Sequence, residues 1–233
     1  ALDSFNDLRR IEDIVEGHVG ANSLFALESA ILKAIAKEKK KEVWQLINPN
    51  AKKFPRLVGN AIGGGKHSGA VTSDGKRRPD FQEFLLIPKT SSVKEAFEIN
   101  KQGKKDSIYL LKKADDKFEE KRNDEDAWKT SLNEKEVLDV LKNLKVPLGV
   151  DVAASSFYKR KKYHYQNPML QRTKDEQFFY VSSLIKNSEL LYVEDPFDED
   201  DFVNFAKLLK KYPNTLVVGD DLTVTNIKRL EKA

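Results

Sequence analysis

Three carboxylates stand at or just after the ends of short apolar runs in the C-terminal half of the chain. They are Asp151, Glu194 and Asp220, and each is followed by a stretch whose apolar residues have helical spacing. The carboxyl ends of parallel strands meet at one face of a barrel, so these side chains are predicted to converge. Convergent carboxylates form an oxygen-rich site that suits Mg²⁺. A single acid after a strand is often a helix N-cap, but three in register favour a metal site.

The elements that must position these acids alternate from residue 54 onward, as in an α/β domain. The predicted strands span residues 57–62, 81–87, 148–152, 190–193 and 216–218. The predicted helices span residues 92–118, 133–144, 173–186, 199–211 and 225–232. Upstream, apolar residues at near-helical spacing over 21–47 predict a helix or a helix pair, capped by Asn22 or Ser23.

Composition excludes several classes of function. The 233 residues carry a net charge of +4, and basic residues alternate with acidic ones as on a solvated surface. The basic run 159–162 lies beside tyrosines, but no recognisable RNA-binding module surrounds it, so no nucleic-acid partner is predicted. The chain has no cysteine, which excludes disulfides and thiolate sites. No apolar run is long enough to span a membrane, and a cytoplasmic location is predicted.

A glycine-rich segment over residues 63–69 contains His67. It lacks the Gly-Lys-Ser or Gly-Lys-Thr ending of a phosphate-binding P-loop. Its glycines are interpreted as positions where the backbone approaches a substrate closely. The other histidines, His18 and His164, lack ligand-like spacing and are interpreted as ordinary surface or boundary residues.

Several segments taken together resemble those of enolases. The metal-binding strand ends of that family resemble Gly-Val-Asp-Val-Ala-Ala-Ser-Ser-Phe-Tyr from 149, Val-Glu-Asp-Pro-Phe from 193 and Val-Gly-Asp-Asp-Leu-Thr-Val-Thr-Asn from 218. Gly-Gly-Gly-Lys-His-Ser-Gly from 63 is similar to a loop with an active-site histidine, and Phe-Gln-Glu-Phe from 81 is similar to the Gln-Glu strand. Gly-Ala-Asn-Ser from 20 is similar to a segment that opens a helix of the capping domain.

The resemblance implies an α/β fold, namely a partial enolase-type β/α barrel preceded by a helical remnant of the capping domain. Residues 1–53 would be the C-terminal helical part of that domain, and residues 54–233 the N-terminal portion of the barrel domain. The chain is interpreted as a fragment, because the serine-containing lid loop would precede it. The lysine base, a second lysine and a substrate-binding arginine would follow it. The full-length parent is expected to be a homodimer.

The resemblance also implies a lyase of glycolysis and gluconeogenesis, which interconverts 2-phosphoglycerate and phosphoenolpyruvate with Mg²⁺ as cofactor. The fragment alone is expected to be inactive, because the lysine base is absent from it. The implied roles are metal ligands for Asp151, Glu194 and Asp220, catalytic carboxylates serving the leaving hydroxyl for Glu83 and Glu125, and substrate-pocket residues for His67 and Gln82.

Some residues depart from the enolase pattern. Asp126 and Ala127 replace two glycines that usually follow Asp-Glu, and the preceding residues 119–122 are polar. Gly63 stands where an Asn is usual, and residues 71–80 are interpreted as an insertion. These departures leave two alternatives open. One is a non-catalytic enolase-like binding or structural protein, and the other is an enzyme of the wider enolase superfamily with a different carboxylate substrate.

Overall fold

The computed structural model describes residues 2–15, 17–69 and 77–233 and divides the chain into two compact units, residues 1–54 and 55–233. The first unit is helical, with α1 (Leu8–Val15), α2 (Ala21–Glu38) and α3 (Val43–Ile47). The predicted helix pair over 21–47 is therefore confirmed as α2 and α3. Its predicted cap is wrong, because Gly20 is the N-cap and both Asn22 and Ser23 lie inside the first turn.

The second unit contains a six-stranded sheet. Its strands are β1 (Gly59–Gly63), β2 (Glu83–Leu86), β3 (Trp128–Lys129), β4 (Leu148–Asp151), β8 (Tyr192–Glu194) and β9 (Leu216–Val218). They lie in the order β3-β1-β2-β4-β8-β9. Within the described residues this sheet is open, with β3 and β9 at its edges. The α/β class predicted from the sequence is confirmed.

The direction of one strand corrects the expectation of an all-parallel sheet. β2 runs antiparallel to both of its neighbours, β1 and β4, whereas β4, β8 and β9 are mutually parallel. The first residue of β2 consequently lies at the same sheet edge as the last residues of the parallel strands. For this reason Glu83 lies at the same edge of the sheet as Asp151 and Glu194.

Helices cover the sheet and close the core. They are α4 (Val93–Ala114), α5 (Glu134–Leu141), α6 (Lys174–Ser188), α7 (Phe202–Lys211) and α8 (Ile227–Lys232). Short polar residues begin them as N-caps, and Asn133 and Thr173 form reciprocal capping boxes with the glutamates three residues later. The core packs fully buried strand residues such as Phe84 and Val193 against helix residues such as Leu138. No helix in the described ranges has both the length and the apolar character that crossing a membrane requires.

A second sheet was not foreseen. It has three antiparallel strands, β5 (Tyr158–Lys159), β6 (Lys162–Gln166) and β7 (Met169–Arg172). Tyr163 and Tyr165 of β6 are buried in the hydrophobic core. These two tyrosines therefore serve packing, and the basic residues beside them form the exposed hairpin tip.

Candidate functional site

The acidic edge of the large sheet brings together carboxylates from three adjacent strands. Glu83 of β2 lies directly opposite Asp151 of β4, and Asp151 is in register with Glu194 of β8. Residues in register on neighbouring strands have Cβ atoms about 5 Å apart, so their side chains share one face. Two of the three predicted metal ligands and one predicted catalytic carboxylate are thus neighbours.

A buried or half-buried set of three acids, termed here the ligand group, consists of Asp151, Glu194 and Asp195. Each offers a carboxylate oxygen, and these oxygens all lie within 4.8 Å of one another. Adjacent residues of a strand normally point to opposite faces. Asp195 breaks that alternation by adopting a left-handed backbone conformation, with φ of 39°. Sequence reasoning assigned no role to Asp195, although the doubled acid after a strand was visible.

Asp220 lies outside the ligand group. β9 ends at Val218, which is in register with Glu194, and Asp220 is two residues further along. It therefore lies past the end of the strand, and its oxygens do not belong to the cluster within 4.8 Å. Its side chain is exposed, yet its charge contributes to the raised pKa of Glu194. Its role as a metal ligand stays a prediction.

The pKa values of the carboxyl groups in the ligand group are all raised toward the neutral form. Burial, followed by the charges of Glu194 and Glu83, raises the pKa of Asp151 to about 8. Burial also raises the pKa of Glu194, and it raises that of Asp195 to about 6 despite two backbone hydrogen bonds. A set of acids whose ionisation is this unfavourable gains most from a bound cation.

Neutral donors hold each member of the ligand group in place. The Gln82 side chain donates to Asp151 Oδ2 over 2.9 Å, and the Tyr192 hydroxyl donates to Glu194 Oε2 over 2.6 Å. The Asp195 carboxylate accepts backbone N–H groups of Asp221 and Leu222, at 2.8 and 3.4 Å. Asp195 thereby fixes the loop that carries Asp220.

A second set, termed here the carboxyl pair, consists of Glu83 and Glu125. Their side chains share a hydrogen bond, which requires a proton on one of them. Burial is the largest cause, and the neighbouring Glu125 the next, of a Glu83 pKa raised to about 7. Both predicted catalytic carboxylates are therefore brought together.

His67 lies between Asp124 and Glu125, two adjacent acids of one loop. Its Nδ1 is 3.2 Å from both carboxylate oxygens of Asp124, and its Nε2 is 3.5 Å from Glu125 Oε1. All seven residues selected from the sequence thus have defined positions, and six of them lie in direct contact with another of the seven or in register with one. Asp124 and Tyr192 were not singled out from the sequence.

The glycines before His67 allow the backbone to pack closely against a neighbouring segment of the same chain. A Cβ at Gly64 would lie 2.4 Å from the carbonyl oxygen of Phe81. Gly64 and Gly65 also donate backbone N–H groups to the carbonyls of Gln82 and Pro79. Close packing against the strand that carries Glu83 therefore explains them. Of the expected insertion over 71–80, residues 71–76 lie outside the described ranges.

The two residues that replace glycines after Glu125 are accommodated. Asp126 has φ of 64°, a left-handed conformation that Asp tolerates, and forms 2.6 Å ion pairs with Lys104 and Arg122. Ala127 is fully buried, and its N–H donates to the Asn123 side chain. The loop therefore holds Glu125 against Glu83 despite these substitutions.

The donor set fits a hard divalent cation. Carboxylate oxygens are the ligands that Mg²⁺ and Ca²⁺ prefer, and the three members of the ligand group supply only such oxygens. Their mutual repulsion gives a physical reason for a cation at this place. Fold and site together define an α/β barrel-type domain with an acidic, cation-competent site at one edge of its sheet.

Comparison with known proteins identifies the family. Residues 52–233 match the family model described as enolase, C-terminal TIM barrel domain. An enolase of Pyrobaculum aerophilum is 38% identical over 78% of this chain and 45% of its own length. Enolases of Natronomonas pharaonis and Methanosphaera stadtmanae are 33% and 32% identical over 92% and 97% of this chain, and over 54% and 59% of their own lengths.

The chain belongs to the enolase family, and its larger unit is part of an enolase-type barrel. It spans about half the length of the curated relatives that it matches. The resemblance read from the motifs is therefore confirmed at the level of family and fold.

Proposed function

We propose that this chain carries the metal ligands and the proton-donating carboxyl groups of an enolase active site. The reaction is the Mg²⁺-dependent, reversible dehydration of 2-phosphoglycerate to phosphoenolpyruvate by the full-length parent. The observation that carries the proposal is the convergence of Glu83, Glu125, Asp151 and Glu194, from four separate segments, at one sheet edge. A cytoplasmic homodimer is proposed from family membership alone.

The metal would be held by Asp151, Glu194 and Asp220, while Asp195 positions the loop of Asp220 through its two backbone hydrogen bonds. When bound, Mg²⁺ offsets the negative charge that builds on the substrate carboxylate as the adjacent carbon loses its proton. Because the pKa of Asp151 is raised to about 8, cation binding is expected to displace a proton from it at neutral pH.

The carboxyl pair would serve the departing hydroxyl. In the dehydration direction carbon 2 loses a proton, the bond from carbon 3 to its hydroxyl oxygen breaks, and a proton from the pair lets water leave. A Glu83 pKa of about 7 keeps such a proton available near neutral pH. His67 and Gln82 would line the substrate pocket. The base that takes the carbon 2 proton is assigned to a lysine outside these 233 residues.

Calorimetric titration with 2-phosphoglycerate tests this proposal on the chain as it stands. Binding is expected in Mg²⁺ and not in a chelator, and Asp151→Asn should abolish it. Glu134→Gln, which changes a buried acid away from the ligand group, is the matched control and should retain it. Substrate binding that is equal with and without Mg²⁺ would refute the proposed site.

Assays of phosphoenolpyruvate formation distinguish the proposed enolase from a non-catalytic descendant and from an enzyme with another substrate. The chain alone is expected to form no phosphoenolpyruvate, and measurable formation would refute the assignment of the base to a residue outside it. A full-length parent that binds Mg²⁺ and substrate without turnover would favour a non-catalytic descendant. Preference for a different carboxylate over 2-phosphoglycerate would favour another reaction of the superfamily.

A further inference from the structure

The contact between Asp124 and His67 has no part in the roles assigned above. Asp124 precedes Glu125 in the same loop, and both of its carboxylate oxygens lie 3.2 Å from His67 Nδ1. The opposite ring nitrogen, Nε2, faces Glu125 Oε1 at 3.5 Å. The ring is thus oriented by one acid and directed at the other.

A carboxylate can only accept a hydrogen bond, so the nitrogen that faces it carries the proton. In a neutral imidazole the other nitrogen then bears the lone pair. We propose that Asp124 is a positioning residue, which places a proton on His67 Nδ1 and so presents Nε2 as an acceptor toward the carboxyl pair. This inference rests on the proposed function for its catalytic meaning.

The consequence for the carboxyl pair follows from the hydrogen-bond inventory. Glu83 and Glu125 share one hydrogen bond and therefore need a proton between them. An Nε2–H would compete with that proton as a donor to the pair, whereas an Nε2 lone pair adds no competing donor. Asp124 would thus keep the proton on the carboxyl pair, where the departing hydroxyl needs it, without touching the substrate.

Stability alone does not account for this contact. The Asp124 side chain is 66% exposed and that of His67 is 34% exposed. Exposed pairs of this kind contribute little to folding, typically under about 1 kcal/mol. Removal of the Asp124 carboxylate should therefore leave a folded chain in which the state of the ring can be measured.

His164 serves as an internal reference for the tautomer of His67. His164 Nε2 lies 3.0 Å from the carbonyl oxygen of Lys159, which also only accepts, so this neutral ring should carry its proton on Nε2. His67 and His164 are accordingly expected to be opposite tautomers in one molecule. With three histidines in the sequence, selective labelling gives three ring systems.

The test is ring ¹⁵N NMR of the histidine-labelled chain at pH 8, without Mg²⁺ or substrate, with His67 assigned by its loss in His67→Gln. Nδ1 of His67 is expected to be protonated in the unmodified chain. Asp124→Ala should shift the ring toward the Nε2–H form, and Asp124→Glu should restore Nδ1–H. Asp126→Asn removes the same charge from the same loop without contacting His67 and should leave the tautomer unchanged.

Two outcomes would overturn the proposal. One is a His67 ring protonated on Nε2 alone, like that of His164, in the unmodified chain. The other is the same tautomer in Asp124→Ala as in the Asp126→Asn control. Because no cation is present, a chain that passes this test and fails to bind Mg²⁺ refutes the metal site and leaves the tautomer inference intact.

Discussion

The ligand group and the carboxyl pair contain the same kind of side chain, and burial with neighbouring negative charge raises the pKa of Glu83 in the pair to about 7 and that of Asp151 in the ligand group to about 8. They differ in how that charge is relieved. Glu83 and Glu125 share a hydrogen bond, so a proton bridges them. Asp151, Glu194 and Asp195 each accept from separate neutral donors, and one carboxylate oxygen of each lies within 4.8 Å of the others. We therefore propose that the same residue type holds a proton in the carboxyl pair and a cation in the ligand group.

Mg²⁺ should have the largest effect, and it should act on the ligand group alone. A ligand that binds only the folded chain at a thousand times its Kd raises the unfolding free energy by ~4 kcal/mol. Asp151→Asn is expected to remove this gain, and Glu125→Gln to retain most of it. Thermal unfolding in Mg²⁺ and in chelator measures both.

The same measurement separates two candidates for the third ligand. Asp220→Asn should remove more of the Mg²⁺ stabilisation than Asp195→Asn, since the Asp195 oxygens already accept two backbone N–H groups. The reverse order would make Asp195 the ligand, and would leave Asp220 as an exposed loop acid.

Glu134 provides a buried carboxyl outside both sets. Burial raises its pKa to about 7 from a usual 4.5, and its partners are the N–H of Asp80 and the Tyr180 hydroxyl. Because the folded pKa is raised, the stability that the protonated group contributes is present below pH 4.5 and falls as pH rises to 7. The loss attributable to Glu134 is about 3 kcal/mol, at 1.36 kcal/mol per pKa unit.

Urea unfolding of the metal-free chain from pH 4.5 to 7.5 tests this value. Glu134→Gln should flatten the decline and leave the Mg²⁺ effect unchanged. An equally steep decline in the variant would mean that the ligand group and the carboxyl pair produce the whole pH dependence.

Glu125→Gln should lower the pKa of Glu83, because it removes the second-largest cause of the shift, the Glu125 charge. Burial, the largest cause, persists, so the pKa should remain above 4.5. A ¹³C carboxyl NMR titration of the metal-free chain measures the change. If the Glu83 pKa stays at about 7, the proton is not shared between the two acids, and the contrast with the ligand group fails.

The sequence predicted best what depends on local pattern. Helical periodicity located α4 to α7, and acids placed after apolar runs located Asp151 and Glu194. It did not predict the antiparallel direction of β2, because a short apolar run does not indicate its direction until its partner strands are known. Asp195 was missed for a related reason. Strand alternation places it on the opposite face from Glu194, and only its left-handed backbone turns both acids to one side.

The smallest expected effect concerns Asp126, which stands where enolases usually have glycine. Asp126→Gly would relieve a left-handed backbone but remove two exposed ion pairs, with Lys104 and Arg122. These contributions are similar in size and opposite in sign, so the unfolding free energy should change by less than about 1 kcal/mol. Because Asn123 still anchors the loop through the N–H groups of Glu125 and Ala127, the Glu83 pKa should stay at about 7. Urea unfolding and the carboxyl titration measure the two quantities on one sample. A large fall in the Glu83 pKa would mean that Asp126, rather than Asn123, holds the carboxyl pair together.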